Sequence, residues 1–304
     1  MRKKIRVTHE KSGRIRVSPY TILGHVWTLD KSTWTYPAIK WFKREQGGLN
    51  IMNKEVCFPW ALNLAMRLHQ KCIDQTSALN CKRGNRQQVY CICLYCRILD
   101  LAQDCINLVS TPTPSIGVEI LLRCMLETLA DLKILVESPD YWKTMHVQAL
   151  KQQIKLGKAA PANPFLNTLV GESDFLNVLE EKESEVKQLE QQGYKALSFK
   201  ERFEKAKMSH EHESFYNLLS GSVHPDLMNL QNYICRGKSG PAFRVFNRLD
   251  QNTLMGDLSM MIDMLLVSSE MVHNMLKSGI SFKEERNLLN NIAAGIGVSP
   301  RNKT

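Results

Sequence analysis

The sequence has no long hydrophobic run. Its longest apolar stretches, such as Met260 to Val267, are interrupted by Asp263 and fall far short of the roughly twenty residues a membrane-spanning helix requires. No membrane partner is expected. The basic start Met1-Arg2-Lys3-Lys4-Ile5-Arg6 is not followed by an apolar stretch with a small-residue cleavage site, so no secretory signal is expected and the chain reads as cytoplasmic. A phosphate-cradling Gly-rich loop and a nucleophile elbow are also missing, which argues against a conventional metabolic enzyme. A general basic footprint is absent from most of the chain. Of the net charge of +10, residues 1–51 carry 11 Lys and Arg against 3 Asp and Glu, whereas the rest carries 29 against 27. The body is therefore not built as a broad nucleic-acid-binding surface.

Cysteines are plentiful, but their nine is an odd number, and in a chain of this length it does not read as a disulfide framework. Cys91 and Cys93 point to different sides of a helix, so a closed tetrahedral zinc site would need ligands from elsewhere. Buried structural thiols are the expectation, with no metal and no cofactor.

The first 51 residues differ from the rest. They hold three of the five tryptophans (Trp27, Trp34 and Trp41) and show no sustained helical period. Val7, Ile15, Val17 and Ile22 suit short strands around Ser12-Gly13. Three readings compete: a basic, aromatic arm that binds nucleic acid, a small β appendage, or a segment upstream of the native start. In the third, preferred reading translation begins at Met52, because Gln46-Gly47-Gly48 is encodable by a purine-rich, ribosome-binding type of sequence. The organisation expected is a basic extension over 1–51 with little or short-strand structure, one all-helical domain over 52–292, and a disordered tail over 293–304.

From Met52 the apolar period is helical almost throughout. Helices are expected over Pro59 to Leu79, with Leu62, Ala65, Met66, Leu68 and Ile73 on one side, and over Arg86 to Val109, the more apolar and central one. A third runs from about Ser115 to Val136, stopping before Ser138-Pro139-Asp140. Tyr141 to Leu156 reads as an exposed basic helix and 172–192 as a charged helix with a solvated face. Ser198 and Glu201 suit a capping box for a short helix to Met208. Glu211 to Val223 and Leu254 to Leu276 follow, the latter with a core face of Leu254, Leu258, Met261, Leu265, Ser268 and Val272.

Two of these helices carry a polar line. In the third, Val118, Leu121, Leu122, Met125, Leu126, Leu129, Leu132 and Ile134 cover most of the circumference, leaving Arg123, Glu127 and Asp131 at steps of four. Residues four apart are neighbours on a helix, so Arg123 can pair with Glu127. Either this is a structural ion pair between packed helices, or Arg123 presents a guanidinium fork to a phosphate while the acids orient it. In the later helix His212, Tyr216, Ser220 and His224 also recur at steps of four beside Leu218, Leu219 and Val223. His224 closes that helix before Pro225, where the macrodipole favours its protonated form and where it can equally cap terminal carbonyls. His210-Glu211-His212 reads as a solvated helix start rather than a metal site.

The pattern Leu-Leu-Arg123-Cys-Met-Leu-Glu127, followed by Tyr216-Asn-Leu-Leu-Ser220-Gly-Ser-Val-His224-Pro225, resembles a bacterial all-helical family catalogued as a domain of unknown function. That family is in turn distantly similar to HEPN domains, helical bundles that often dimerise and act as metal-independent ribonucleases in toxins and antiviral (phage-defence) systems. The resemblance implies an all-α, multi-helix bundle, RNA as a partner, a homodimer, and a catalytic set of His224, Arg123, Glu127, Tyr216 and Ser220. The nuclease signature has an arginine, four residues, then a histidine. His224 matches the histidine, but Leu219 stands at the arginine position and Ser220 follows it. A ribonuclease site would then need Arg123 to supply the positive charge from a neighbouring helix. The alternative is a non-catalytic helical module that binds a protein partner or small ligand, with the same residues as an internal polar lock.

Overall fold

Helical periodicity turns into helix wherever apolar residues sustain it. The computed structural model describes residues 14–16, 54–111, 117–163, 175–223, 234–237, 240–243 and 251–295. Its helices are α1 (Lys54–Gln75), α2 (Arg86–Val109), α3 (Gly117–Glu137), α4 (Tyr141–Ala159), α5 (Phe175–Gln191) and α6 (Phe199–Lys205). They continue with α7, a continuous helical run over 209–223, then α8 (Gln251–Met275) and α9 (Lys283–Gly295). Among the described residues, two short antiparallel strand pairs accompany them. β1 (Arg14–Arg16) pairs with β2 (Asn80–Lys82), with Ile15 opposite Cys81, and β3 (Ile234–Gly237) pairs with β4 (Gly240–Phe243). The protein is all-α in class. Among the described residues no helix is long and apolar enough to cross a membrane.

α2 lies in the middle, packed against α1, α3 and α8, and α8 also packs on α1 and α3. The core face expected for α8 is the observed one: Leu254, Leu258, Met261, Leu265, Ser268 and Val272 are all buried. In α1 the buried face is rotated from the expected one. Ala61, Leu64, Ala65, Leu68 and Cys72 are buried, while Leu62, Met66 and Ile73 stay half-exposed. The helix also begins at Lys54, ahead of Pro59. Pro59 is the sixth residue of this helix, past the first turn, so it withholds one i→i−4 donor, to the carbonyl of residue 55, without marking the helix start.

Helix ends are settled by local chemistry. The Asn85 side chain accepts from the Gln88 N–H at 3.1 Å and caps α2. Gln87 Nε2 donates to the carbonyls of Leu135 at 2.8 Å and Val136 at 3.2 Å, which satisfies acceptors left open at the C-terminus of α3. The capping box at Ser198 and Glu201 is present in full. Lys207, in the left-handed region at φ 56°, reverses the chain between α6 and α7.

α4 is not the exposed helix its composition suggests. Tyr141, Thr144, Val147 and Leu150 are buried, and Val147 and Leu150 form a small second core with Val186 of α5. The charged surface of α5 does stay in solvent, with Lys151–Glu190 at 2.6 Å and Lys158–Glu183 at 2.7 Å along the seam. α9 carries helix through 293–295, into the segment expected to be disordered.

Among the described cysteines, Cys72, Cys81, Cys91, Cys93, Cys96, Cys105 and Cys124 are free. Burial pushes the thiols of Cys91 and Cys105 up to about 12. Cys93 and Cys96 stand at Cys-x-x-Cys spacing. Burial raises both, Cys96 to about 11, the opposite of what makes a thiol reactive.

Candidate functional site

α3 buries Val118, Leu122, Met125, Leu126, Leu129, Leu132 and Ile134 and presents its polar line to α6 and α7. Arg123 sits where that line meets α7. Its Nε donates to Glu127 Oε1 at 3.2 Å and its Nη2 donates to the Tyr216 hydroxyl at 2.8 Å. The guanidinium carbon lies 4.7 Å from the Tyr216 ring centroid and 5.9 Å from that of Phe199. Only 14% of the Arg123 side chain and 23% of the Glu127 side chain remain exposed, so this ion pair is screened less than a surface pair. Burial alone would lower the Arg123 pKa, but the contacts with Tyr216 and Glu127 outweigh it and the net shift is upward. Burial, helped by Glu127, raises Tyr216 against the opposing pull of Arg123. At neutral pH the pair is a guanidinium cation held by a neutral phenol.

α7 changes its winding at this site. Ser209–Glu211 is α-helical, His212–Tyr216 forms one π turn, and Asn217–Val223 returns to α-helix. Such turns insert a residue into the ladder and re-aim the side chains around it. Tyr216 is buried at the junction, with His212 stacked on it at 5.1 Å and 15° and Phe203 tilted against it at 5.1 Å. His210 is exposed, as expected of a helix start, but His212 packs against Phe203 and Tyr216. Leu219 is buried, whereas Leu218, expected on the same buried face, is 71% exposed. With Tyr216 and Leu219 facing α3, Leu218 falls on the opposite side of the helix. Ser220, half-buried, donates to the Tyr216 carbonyl at 2.6 Å. His224 and Pro225 lie outside the described residues, as does the side chain of Val223.

The third member of the line has a different partner. Asp131 Oδ2 accepts from Arg202 Nη1 at 2.9 Å and Oδ1 accepts from the Tyr141 hydroxyl at 2.7 Å. Burial raises the Asp131 pKa, more than Arg202 and Tyr141 lower it. Arg202 in turn stacks over Phe199 at 4.4 Å. α3 thus anchors α7 through Arg123 and both α6 and α4 through Asp131. Sequence reasoning brought Arg123, Glu127 and Tyr216 into view and missed Arg202, Tyr141 and Phe199. Arg202 belongs to a basic stretch with Lys200, Lys205 and Lys207, and nothing local distinguishes it except its place between Phe199 and Phe203.

Two guanidinium nitrogens in this cluster, Arg123 Nη1 and Arg202 Nε, are buried without an acceptor. Such orphans are rare because a buried donor left unpaired is costly. Among the described residues, no group of three or more His, Cys, Asp or Glu side chains comes together as a metal site.

No curated protein and no solved structure matches the chain. A family model does match, from residue 88 in α2 to residue 240 at the start of β4. That span is half of the chain and contains Arg123, Glu127, Tyr216, Ser220 and His224. The chain belongs to the family of unknown function DUF5677.

Proposed function

We propose that the chain is a HEPN-like helical effector that cleaves RNA without a metal, of the kind used in bacterial defence or toxin systems. The observation that carries this reading is the hydrogen bond from Arg123 to Tyr216. Leu219, at the position where the nuclease signature has arginine, is buried and uncharged. Arg123 of α3 docks instead on Tyr216 of α7, eight residues before His224 in sequence, and would supply a cation from a neighbouring helix.

The chemistry this would serve needs few parts. The 2′-hydroxyl of RNA is a built-in nucleophile. Its oxygen bonds to phosphorus while the bond to the 5′-oxygen breaks, leaving a cyclic phosphate. His224 takes the proton from the 2′-hydroxyl, and water protonates the departing 5′-oxygen. Arg123 offsets the negative charge carried by the non-bridging phosphoryl oxygens as the 2′-oxygen adds. Glu127 and Tyr216 hold Arg123 in place, and Ser220 holds the turn that follows Tyr216.

A second reading, a non-catalytic helical module that binds a protein or small ligand, is favoured by a specific observation. Arg123 spends Nε and Nη2 on its own chain and is mostly enclosed, as an internal lock would be. Purified protein incubated with RNA and a chelator separates the two. The nuclease reading expects cleavage that His224→Ala abolishes while the thermal midpoint stays unchanged. Folded protein that leaves RNA intact, with any cellular toxicity indifferent to His224→Ala, overturns it in favour of the module.

A further inference from the structure

Phe199 is the aromatic residue of the cluster that stays open. Phe203 is 1% exposed and Tyr216 6%, but Phe199 is 40% exposed. It is held firmly for an exposed ring. It is the first residue of α6, enclosed within the capping box formed by Ser198 and Glu201. Arg202 stacks against it at 4.4 Å and is itself anchored by Asp131, while Tyr216 leans on it at 5.6 Å and Arg123 stands 5.9 Å away. An immobilised ring loses little conformational entropy when something stacks on it. Two exposed cations flank it in sequence: Lys195 and Lys200 are 70% and 74% exposed, each facing a glutamate, Glu201 and Glu204, at 3.9 Å that a phosphate would displace.

We infer that Phe199 is a base-stacking platform that selects single-stranded RNA, with a nucleobase on its open side and the flanking phosphates near Lys195 and Lys200. This rests on the RNA-cleaving reading above and adds the substrate class. A base inside a duplex has both faces occupied and cannot use the ring, whereas every unpaired base has a face to offer. The platform therefore confers preference for strandedness and little preference for base identity.

The test uses the full chain and a 2′-deoxy-substituted single strand, which binds but lacks the attacking hydroxyl, with one 2-aminopurine as reporter. Binding should quench the reporter. Phe199→Ala should weaken binding roughly ten-fold or more, Phe199→Trp should retain it, and an abasic strand should bind the wild type as poorly as the intact strand binds Phe199→Ala. The thermal midpoint of Phe199→Ala, read in parallel, should stay close to that of the wild type. If wild type and Phe199→Ala bind the strand equally, or wild type binds the abasic strand equally well, the platform is refuted while RNA cleavage stands. If the wild type neither binds nor cleaves any RNA, the RNA reading falls and the platform with it, leaving Phe199 as a protein-contact residue.

Discussion

Replacing Arg202 by methionine tests whether the Asp131 cluster holds α6 on the bundle. The side chains of Arg202 and Asp131 are 8% and 15% exposed and 2.9 Å apart, so the pair is buried. Removing one partner leaves the other charge enclosed, which typically costs about 3–5 kcal/mol. Tyr141 still donates to Asp131, which places the expectation near the lower end, about 3 kcal/mol. For a helical body of this size that is a fall in Tm of roughly 6–12 °C. The pH dependence gives a sharper check. Burial already raises the Asp131 pKa above its ordinary value, and loss of Arg202 moves it further up. The ionised form is then the costly one, so the variant regains stability as pH falls from neutrality through the raised folded-state pKa. The gap between wild type and Arg202→Met should be widest at neutral pH and narrow toward about pH 4, where the unfolded carboxyl also protonates. Adding Asp131→Asn, which keeps an acceptor for Tyr141, should restore more than half of the loss at neutral pH. Urea melts at several pH values read all of this. A loss under about 1 kcal/mol, or a gap unchanged with pH, would show that Asp131 finds compensation without Arg202.

Three further outcomes are expected. Tyr216→Phe leaves Arg123 Nη2 without its acceptor and should destabilise by about 1.5–3 kcal/mol, seen as a lower urea midpoint with unchanged slope; no shift would mean that water takes the hydroxyl's place. His273 is 1% exposed and burial lowers its pKa to about 4. Above about pH 6.5 it is neutral in both states and contributes no slope. As pH falls from there to about 4 the unfolded chain takes up the proton first, so stability should decline by about 3 kcal/mol. His273→Phe should flatten that part of the stability–pH curve, and an unchanged slope refutes the assignment. A chain beginning at Met52 loses only the three-residue pairing of β1 with β2 among the described contacts of the extension, so its Tm should drop by no more than a few degrees; a larger drop on calorimetry would make the extension part of the core.

Much of the helical framework was legible locally. α2 over Arg86–Val109, the end of α3 before Pro139, the capping box of α6 and the buried face of α8 follow from apolar period and cap chemistry, which act within a few residues. The pairing of Arg123 with Glu127 was equally readable, because residues four apart share a helix face. Tertiary structure decided what such spacing cannot express. Composition makes α4 look solvated, yet α5 folds back and buries Val147 and Leu150. The buried face of α1 and the exposure of Leu218 depend on which neighbour each helix meets, and a π turn in α7 shifts the register that a regular step of four assumes. Asp131 lies one helical step beyond Glu127 but finds its partner, Arg202, far along the chain. A carboxylate in a closing core takes the cation that packing delivers, and sequence spacing carries no record of that choice.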